Sequence, residues 1–287
     1  MQLSKILLPV DFSERSAGAA HYAKALASRF QSELIVAHVF ELREVIANVP
    51  EAGVPPHWYE DRRMETCQML ERFQADEFRD LRVRRMLLEG DVAQSIVDLA
   101  HSQKVDVIVM PTHGYGPFRR FVLGSVTAKI LHDADCPVLT GVHIDRTPSF
   151  EPIEFREILC ALDFDQAGER AVRWAADFAK ITGARLTVVH ALPNVPYTDI
   201  NLAEQGLPAM FQAVAGEQAE ALQDRLGIDA EFDLEPGPVH KVVHNAAITR
   251  NADLVVVGRH TDSGLLGRLR GHAYAIVRES PCPVVSV

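Results

Sequence analysis

No stretch of the 287-residue chain reaches the roughly 18 consecutive apolar residues that a membrane span requires. The apolar run near Met1 to Asp11 is too short for a secretory leader. Both absences set the expectation of a cytoplasmic protein with no membrane partner. Cysteine is scarce. Cys67, Cys136, Cys160 and Cys282 form no C-x-x-C pair and no His/Cys cluster at zinc-finger spacing, which reads as reduced, mostly buried thiols. A basic excess is also missing: the net charge is −10 and the pI about 5.6. Nucleic acids and anionic membranes are held mainly by clustered Lys/Arg, so neither is expected as the main partner. The short cluster Arg82, Arg84 and Arg85 reads as a solvated strand face. What remains is 47% hydrophobic and 24% charged, an ordinary balance for a folded globular chain. Its length suits two cores of about 100 to 150 residues each.

Several catalytic signatures are missing as well. The stretch Gly114-Tyr115-Gly116 lacks the third glycine of a dinucleotide fingerprint and follows a fourth strand instead of a first. Gly124-Ser125 has no lysine of the kind a P-loop places before its hydroxyl residue, and no G-x-S-x-G elbow occurs. His240 and His244 lie four apart on a predicted helix, a metal-capable spacing, but no carboxylate adjoins them and a structural role is favoured.

The pattern along the chain is short apolar strands alternating with helices. Ile6 to Val10 forms a strand, and Ala17, Ala20, Ala23 and Ala27 recur at helical spacing after it. Strands are predicted again at 32–40, 83–88, 107–110 and 137–142, with helices at about 58–75, 92–101 and 124–133. The second half repeats the order. Ile158-Leu159-Cys160-Ala161-Leu162-Asp163-Phe164 answers Ile6 to Phe12, and Leu186 to His190 answers Leu34 to His38, at one offset of 152 residues. Asp253-Leu254-Val255-Val256-Val257-Gly258 answers Asp106 to Pro111, and Cys282-Pro283-Val284 answers Cys136-Pro137-Val138. So many landmarks in one order indicate an internal duplication. The predicted domains are 1–145 and 153–287, joined near His143 to Glu154. Each is an α/β, doubly wound, five-stranded parallel sheet of Rossmann-like type.

In such sheets ligands bind beyond the carboxyl ends of the strands, where the strand order reverses. Val107 to Thr127 is placed there as strand, Gly/Pro-punctuated loop and helix start, and a helix start presents free N–H groups and a positive dipole end to an anion. Asp11 closes the first strand on the same edge, where it either accepts hydrogen bonds from a ligand or, with Ser13, caps the following helix. His113 either approaches a phosphate or lies solvated or packed on Tyr115.

These residues resemble the universal stress protein family in tandem form. The family's nucleotide loop runs Gly, two residues, Gly, nine residues, Gly and Ser/Thr. Here Gly114, nine residues and Gly124-Ser125-Val126-Thr127 are similar to it, as are Pro9-Val10-Asp11-Phe12-Ser13, His38-Val39 and Ala134-Asp135-Cys136-Pro137-Val138. The resemblance implies an adenine nucleotide alpha hydrolase-type fold. It also implies ATP or AMP as ligand, with or without Mg2+, and pairing into a homodimer through the final strands. Its site residues carry over as Pro9, Val10, Asp11, Val39, Met110, His113, Gly114, Gly124, Ser125, Val126 and Thr127, with no residue in a catalytic or metal role. Pro111 departs from the family: it stands at the first glycine and has no N–H to donate.

In the second half Gly258 keeps that first position, but Thr261 replaces the second glycine and Gly271-His272 replaces Gly-Ser. Arg259, Arg268 and Arg270 either meet an anion or, the favoured reading, are solvated loop arginines, and Asp163 reads as a helix cap. That half is expected to be structural or regulatory. The expected function is thus a stress-response regulatory or interaction module with an unidentified protein partner, holding its nucleotide in the first half. The alternatives are a slow ATP-hydrolysing enzyme, for which no general base stands out near the loop, and a nucleotide-free interaction scaffold.

Overall fold

The computed structural model describes residues 1–41, 57–113, 123–141, 144, 152–194, 206–259 and 271–287. Contacts divide the chain into two units, Gln2–Ile153 and Glu154–Val287, with Met1 grouped with the second. In the first unit the elements are β1 (Lys5–Pro9), α1 (Glu14–Phe30), β2 (Glu33–Phe40), α2 (Trp58–Arg72), β3 (Arg82–Glu89), α3 (Val92–Gln103), β4 (Val107–Val109), α4 (Ser125–Asp133) and β5 (Val138–Thr140). The second contains β6 (Glu157–Ala161), α5 (Gln166–Thr182), β7 (Arg185–Leu192), α6 (Leu207–Leu226), β8 (Glu231–Pro236), α7 (Val239–Thr249), β9 (Leu254–Val257), α8 (Gly271–Glu279) and β10 (Val284–Ser286).

Within the first unit the strands run in the order β3-β2-β1-β4-β5, every pair parallel. The second unit has the order β8-β7-β6-β9-β10, also parallel throughout. Strand order reverses between β1 and β4, and between β6 and β9, so each unit is doubly wound as expected. The central strands have no polar face because helices cover both sides. Ile6, Leu7, Leu8, Leu34, Ile35 and Ile108 are fully buried, and so are Leu159, Val188, Leu254 and Val255 in the repeat. Ala20, Ala23 and Ala27 lie buried on one face of α1, where small side chains let it approach the sheet; Ala17 is only half-buried.

Both units pin the start of their first strand in one way. Asp106 Oδ2 accepts from the backbone N–H of Ser4 (2.7 Å) and Lys5 (2.9 Å). Asp253 Oδ2 does the same for Arg156 (2.8 Å) and Glu157 (2.9 Å). The aspartate matched between the halves is therefore a clamp that satisfies two amides the sheet leaves over.

Arg82 is exposed and Arg84 and Arg85 half-buried, and all three also bond to the protein. Arg85 donates to the carbonyls of Leu70 (2.9 Å) and Phe73 (3.0 Å), placing a cation at the C-terminal end of α2. Arg84 reaches Gln103 Oε1 (2.8 Å) and Glu33 (3.0 Å), and Arg82 bonds the Gln31 carbonyl. The strand expected at 137–142 spans Val138–Thr140; Val142, like most of the linker, lies outside the described residues. Among the described residues no helix is long and apolar enough to cross a membrane.

Candidate functional site

The crevice at the strand reversal of the first unit is assembled from the ends of β1, β2 and β4 and the start of α4. Beyond β1 the chain turns sharply at Phe12, whose φ of 61° is left-handed. A phenylalanine pays of order 1–3 kcal/mol to sit there. Its ring stacks on His38 (centroids 4.4 Å apart) and meets Phe73 edge-on (6.2 Å), which offsets part of that cost. His38 Nδ1 donates to the Val10 carbonyl at 2.7 Å, and His190 holds the Leu162 carbonyl at 2.9 Å in the second unit. The matched histidines thus tie the ends of neighbouring strands together.

Asp11 is held by a hydroxyl network. Its Oδ1 accepts from Ser13 N–H (3.1 Å), Ser13 Oγ (2.5 Å) and Ser16 Oγ (2.5 Å), while its own N–H donates to Ser16 Oγ (3.0 Å). The N-cap of α1 is Ser13, which receives Ser16 N–H. Of the two roles open to Asp11, capping belongs to Ser13, and Asp11 is the acceptor that orients both serines. Ser16 was not legible as part of this group, because in sequence it is one more small residue on a helix.

The motif after β4 is described at its two ends. Gly114 and the rest of 114–122 lie outside the described residues. Gly124 N–H donates to the Thr112 carbonyl at 2.9 Å, and an added Cβ on Gly124 would lie 3.2 Å from that same oxygen and 3.5 Å from His113 Cα. A Cβ here would make a tighter contact than usual, with the neighbouring backbone giving by a few tenths of an ångström; the φ of −60° is ordinary. Gly124 caps α4 without any side-chain bond, and the first intrahelical bond runs from Ala128 N–H to the Gly124 carbonyl (2.8 Å), so the N–H groups of Ser125, Val126 and Thr127 have no intrahelical acceptor. Thr127 Oγ1 donates to the Pro111 carbonyl (3.2 Å), tying the helix to the strand end. Proline at 111 thus still contributes through its carbonyl.

His113 is buried, with 8% of its surface exposed, which removes the solvated alternative. Its Nδ1 pairs with Thr112 Oγ1 at 2.9 Å, and its Nε2 meets no partner among the described residues. Burial, and secondarily the positive charge of Arg15, push its pKa below the usual histidine value. Pro9, Val10, Val39 and Met110 stand on the strand ends around the crevice, Val10, Val39 and Met110 buried. The structure thus brings together Val10, Asp11, Met110 and His113 with the start of α4.

The corresponding edge of the second unit is built differently. Asp163 is exposed and does not cap: Asp165 is the N-cap of α5 and accepts Gly168 N–H at 2.7 Å. Gly168 stands where Ser16 offers its hydroxyl, and a Cβ there would fall 1.8 Å from the Asp163 carbonyl oxygen. A Cβ on Gly258 would lie 2.6 Å from the Ala167 carbonyl oxygen, so the first turn of α5 rests directly on the end of β9. Pro111 occupies the equivalent place after β4 and carries a whole ring. The first unit therefore keeps more space between strand end and helix. Arg259 is not a solvated loop residue but 5% exposed, its carbonyl accepting from Arg170 at 3.0 Å. Thr261, Gly264, Gly267, Arg268 and Arg270 lie outside the described residues, and His272 is exposed on α8.

The two histidines and the cysteines lie elsewhere in the fold. His244 Nδ1 donates to the Glu279 carbonyl at 2.6 Å, and His240 Nε2 stands 3.8 Å from the Glu279 carboxylate, so the pair joins α7 to α8. Among the described residues no three His, Cys, Asp or Glu side chains are grouped to hold a metal ion. Cys160 and Cys282 are buried, Cys67 and Cys136 half-buried. Burial pushes the Cys160 thiol well above its usual range and the Cys282 thiol up to about 12.

A doubly wound parallel sheet repeated in tandem defines the class. The family model described as the universal stress protein family matches residues 3–140 and again 154–287, and the chain belongs to that family, as two copies in one polypeptide. A universal stress protein of Mycobacterium tuberculosis is 28% identical over 299 residues, spanning 98% of this chain and 95% of the relative. One from Thermus aquaticus is 34% identical over 137 residues, 47% of this chain and 95% of that protein. Among solved structures, a universal stress protein from Archaeoglobus fulgidus superposes over 100% of this chain and 98% of its own, with a TM-score of 0.72 at 23% identity, which supports the fold.

Proposed function

We propose that the first half binds one adenine nucleotide, ATP or AMP, at the carboxyl ends of β1 and β4, and that occupancy sets the state of a stress-response regulatory or interaction module. One observation carries the reading. At the start of α4, where Gly124 supplies no side-chain cap, the N–H groups of Ser125, Val126 and Thr127 stand ahead of the first intrahelical donor, Ala128. Such a cradle suits phosphate, since the dipole end and the amides act together. In this reading Ser125, Val126 and Thr127 hold the phosphates with Gly114 and Gly124, Asp11 accepts from the ribose, and Pro9, Val10, Val39 and Met110 border the nucleoside. Mg2+, where present, arrives with the nucleotide phosphates. The second half, with its Gly258–Ala167 contact, acts as a structural or regulatory partner and leaves the nucleotide to the first.

No turnover is needed, because a ligand that prefers one conformation shifts the population by binding alone. The same reading has the chain act in the cytoplasm and associate into a homodimer. Calorimetric titration of ATP and of AMP into the wild type and a Gly114→Val/Ser125→Val variant tests the site. Binding heat that the double variant loses supports it, and indistinguishable heats refute it. Steady phosphate release abolished by Gly124→Val would favour the ATP-hydrolysing reading, and absence of binding by the wild type would leave the scaffold reading.

A further inference from the structure

The nucleotide reading leaves one group unexplained: a buried imidazole with one nitrogen bonded and the other idle. His113 follows β4 directly and is 8% exposed. Its Nδ1 is occupied by Thr112 Oγ1 at 2.9 Å, while Nε2 has no partner among the described residues. Buried polar atoms are overwhelmingly bonded in folded proteins, so an unpartnered one beside a ligand crevice asks for a ligand atom. Its surroundings point to an anion. The backbone of His113 touches the cap of α4, since a Cβ on Gly124 would lie 3.5 Å from His113 Cα. Among the described residues the charge that acts on the ring is the Arg15 guanidinium from the first turn of α1.

Resting on the nucleotide reading of this site, we propose that His113 couples ligand binding to proton uptake: a phosphate oxygen entering the crevice meets Nε2, which takes a proton from solvent and donates it in a charge-assisted hydrogen bond.

In the charged ring both nitrogens are donors. Nδ1–H is then satisfied by Thr112 Oγ1 and Nε2–H by the phosphate oxygen. Without the anion the charged ring is opposed by burial and by Arg15, and the neutral form prevails at pH 7. With the anion placed beside it, the opposition from both cations becomes attraction to a shared negative charge. Anion affinity therefore rises as pH falls, by up to about tenfold per pH unit where the free ring is neutral and the bound ring charged.

The test is isothermal calorimetry of ATP into the full chain at pH 6.5 and 7.5, in buffers of different ionisation enthalpy, for the wild type and His113→Gln. The expected result is proton uptake by the wild type in excess of that in His113→Gln, the difference cancelling the titration of ATP itself. His113→Gln should keep ATP binding with a flatter pH profile. Equal uptake in both proteins, or none in the wild type while ATP still binds, overturns the proton linkage and leaves the nucleotide site standing. No ATP binding at either pH overturns the site reading and this proposal with it. A second measurement needs no variant. The ring resonances of His113, followed by NMR at pH 7, should pass from neutral to charged on adding ATP, and an unchanged ring refutes the proposal.

Discussion

The first turns of α1 and α5 occupy matching places in the two halves yet require opposite side chains. Ser16→Ala removes the hydroxyl that donates to Asp11 Oδ1 at 2.5 Å and accepts Asp11 N–H at 3.0 Å. A hydrogen bond to a charged group contributes about 1.5–3 kcal/mol, and Asp11 is half-buried, so water compensates part of the loss. A cost of about 2 kcal/mol follows, which for a unit of this size lowers the melting temperature by about 4–8 °C. Gly168→Ala presents the opposite problem. The new Cβ would stand 1.8 Å from the Asp163 carbonyl oxygen, and the obstacle is backbone that cannot rotate aside. Overpacking of this kind costs about 3 kcal/mol or more. Urea denaturation followed by circular dichroism, with scanning calorimetry, measures both. The reasoning fails if Ser16→Ala costs less than about 0.5 kcal/mol, or if Gly168→Ala is tolerated as well as Ser16→Ala.

Asp106→Ala leaves the N–H groups of Ser4 and Lys5 without their acceptor and should destabilise the chain by about 1–3 kcal/mol in urea denaturation, with Asp253→Ala costing a similar amount. Because the folded-state pKa of His113 is lowered, its contribution to stability is full above the unfolded value of about 6.5 and is lost as pH falls below it. Thermal melts from pH 7.5 to 5.5 without nucleotide should therefore show a loss in the wild type that His113→Gln reduces. Iodoacetamide at pH 8 should label Cys67 and Cys136 in the native protein and spare Cys160 and Cys282, read by peptide mass mapping, because burial raises both of the latter thiols.

Strand and helix order was legible because it follows from apolar periodicity, and the duplication because the same landmarks recur at nearly constant offset. The start of α4 was legible for a similar reason: a glycine before an apolar-periodic run marks a cap whatever the tertiary context. What escaped the sequence depends on contacts across the fold. Ser16 and Gly168 differ by one small side chain, and only the approach of the preceding loop gives that difference meaning. A degenerate nucleotide loop favours Asp163 as a cap, but the cap falls two residues later in both halves, at Ser13 and Asp165. Charge alone gives Arg259 a solvated place, whereas it is buried, and charge alone says nothing of the bonds by which Arg84 and Arg85 hold the protein.

The asymmetry of the two halves is the central claim, and counting nucleotides tests it most directly. Native mass spectrometry of the full chain with excess ATP should find one nucleotide per polypeptide, lost in Gly124→Val and retained in His272→Ala. Two nucleotides per chain, none, or one that survives Gly124→Val would contradict the account.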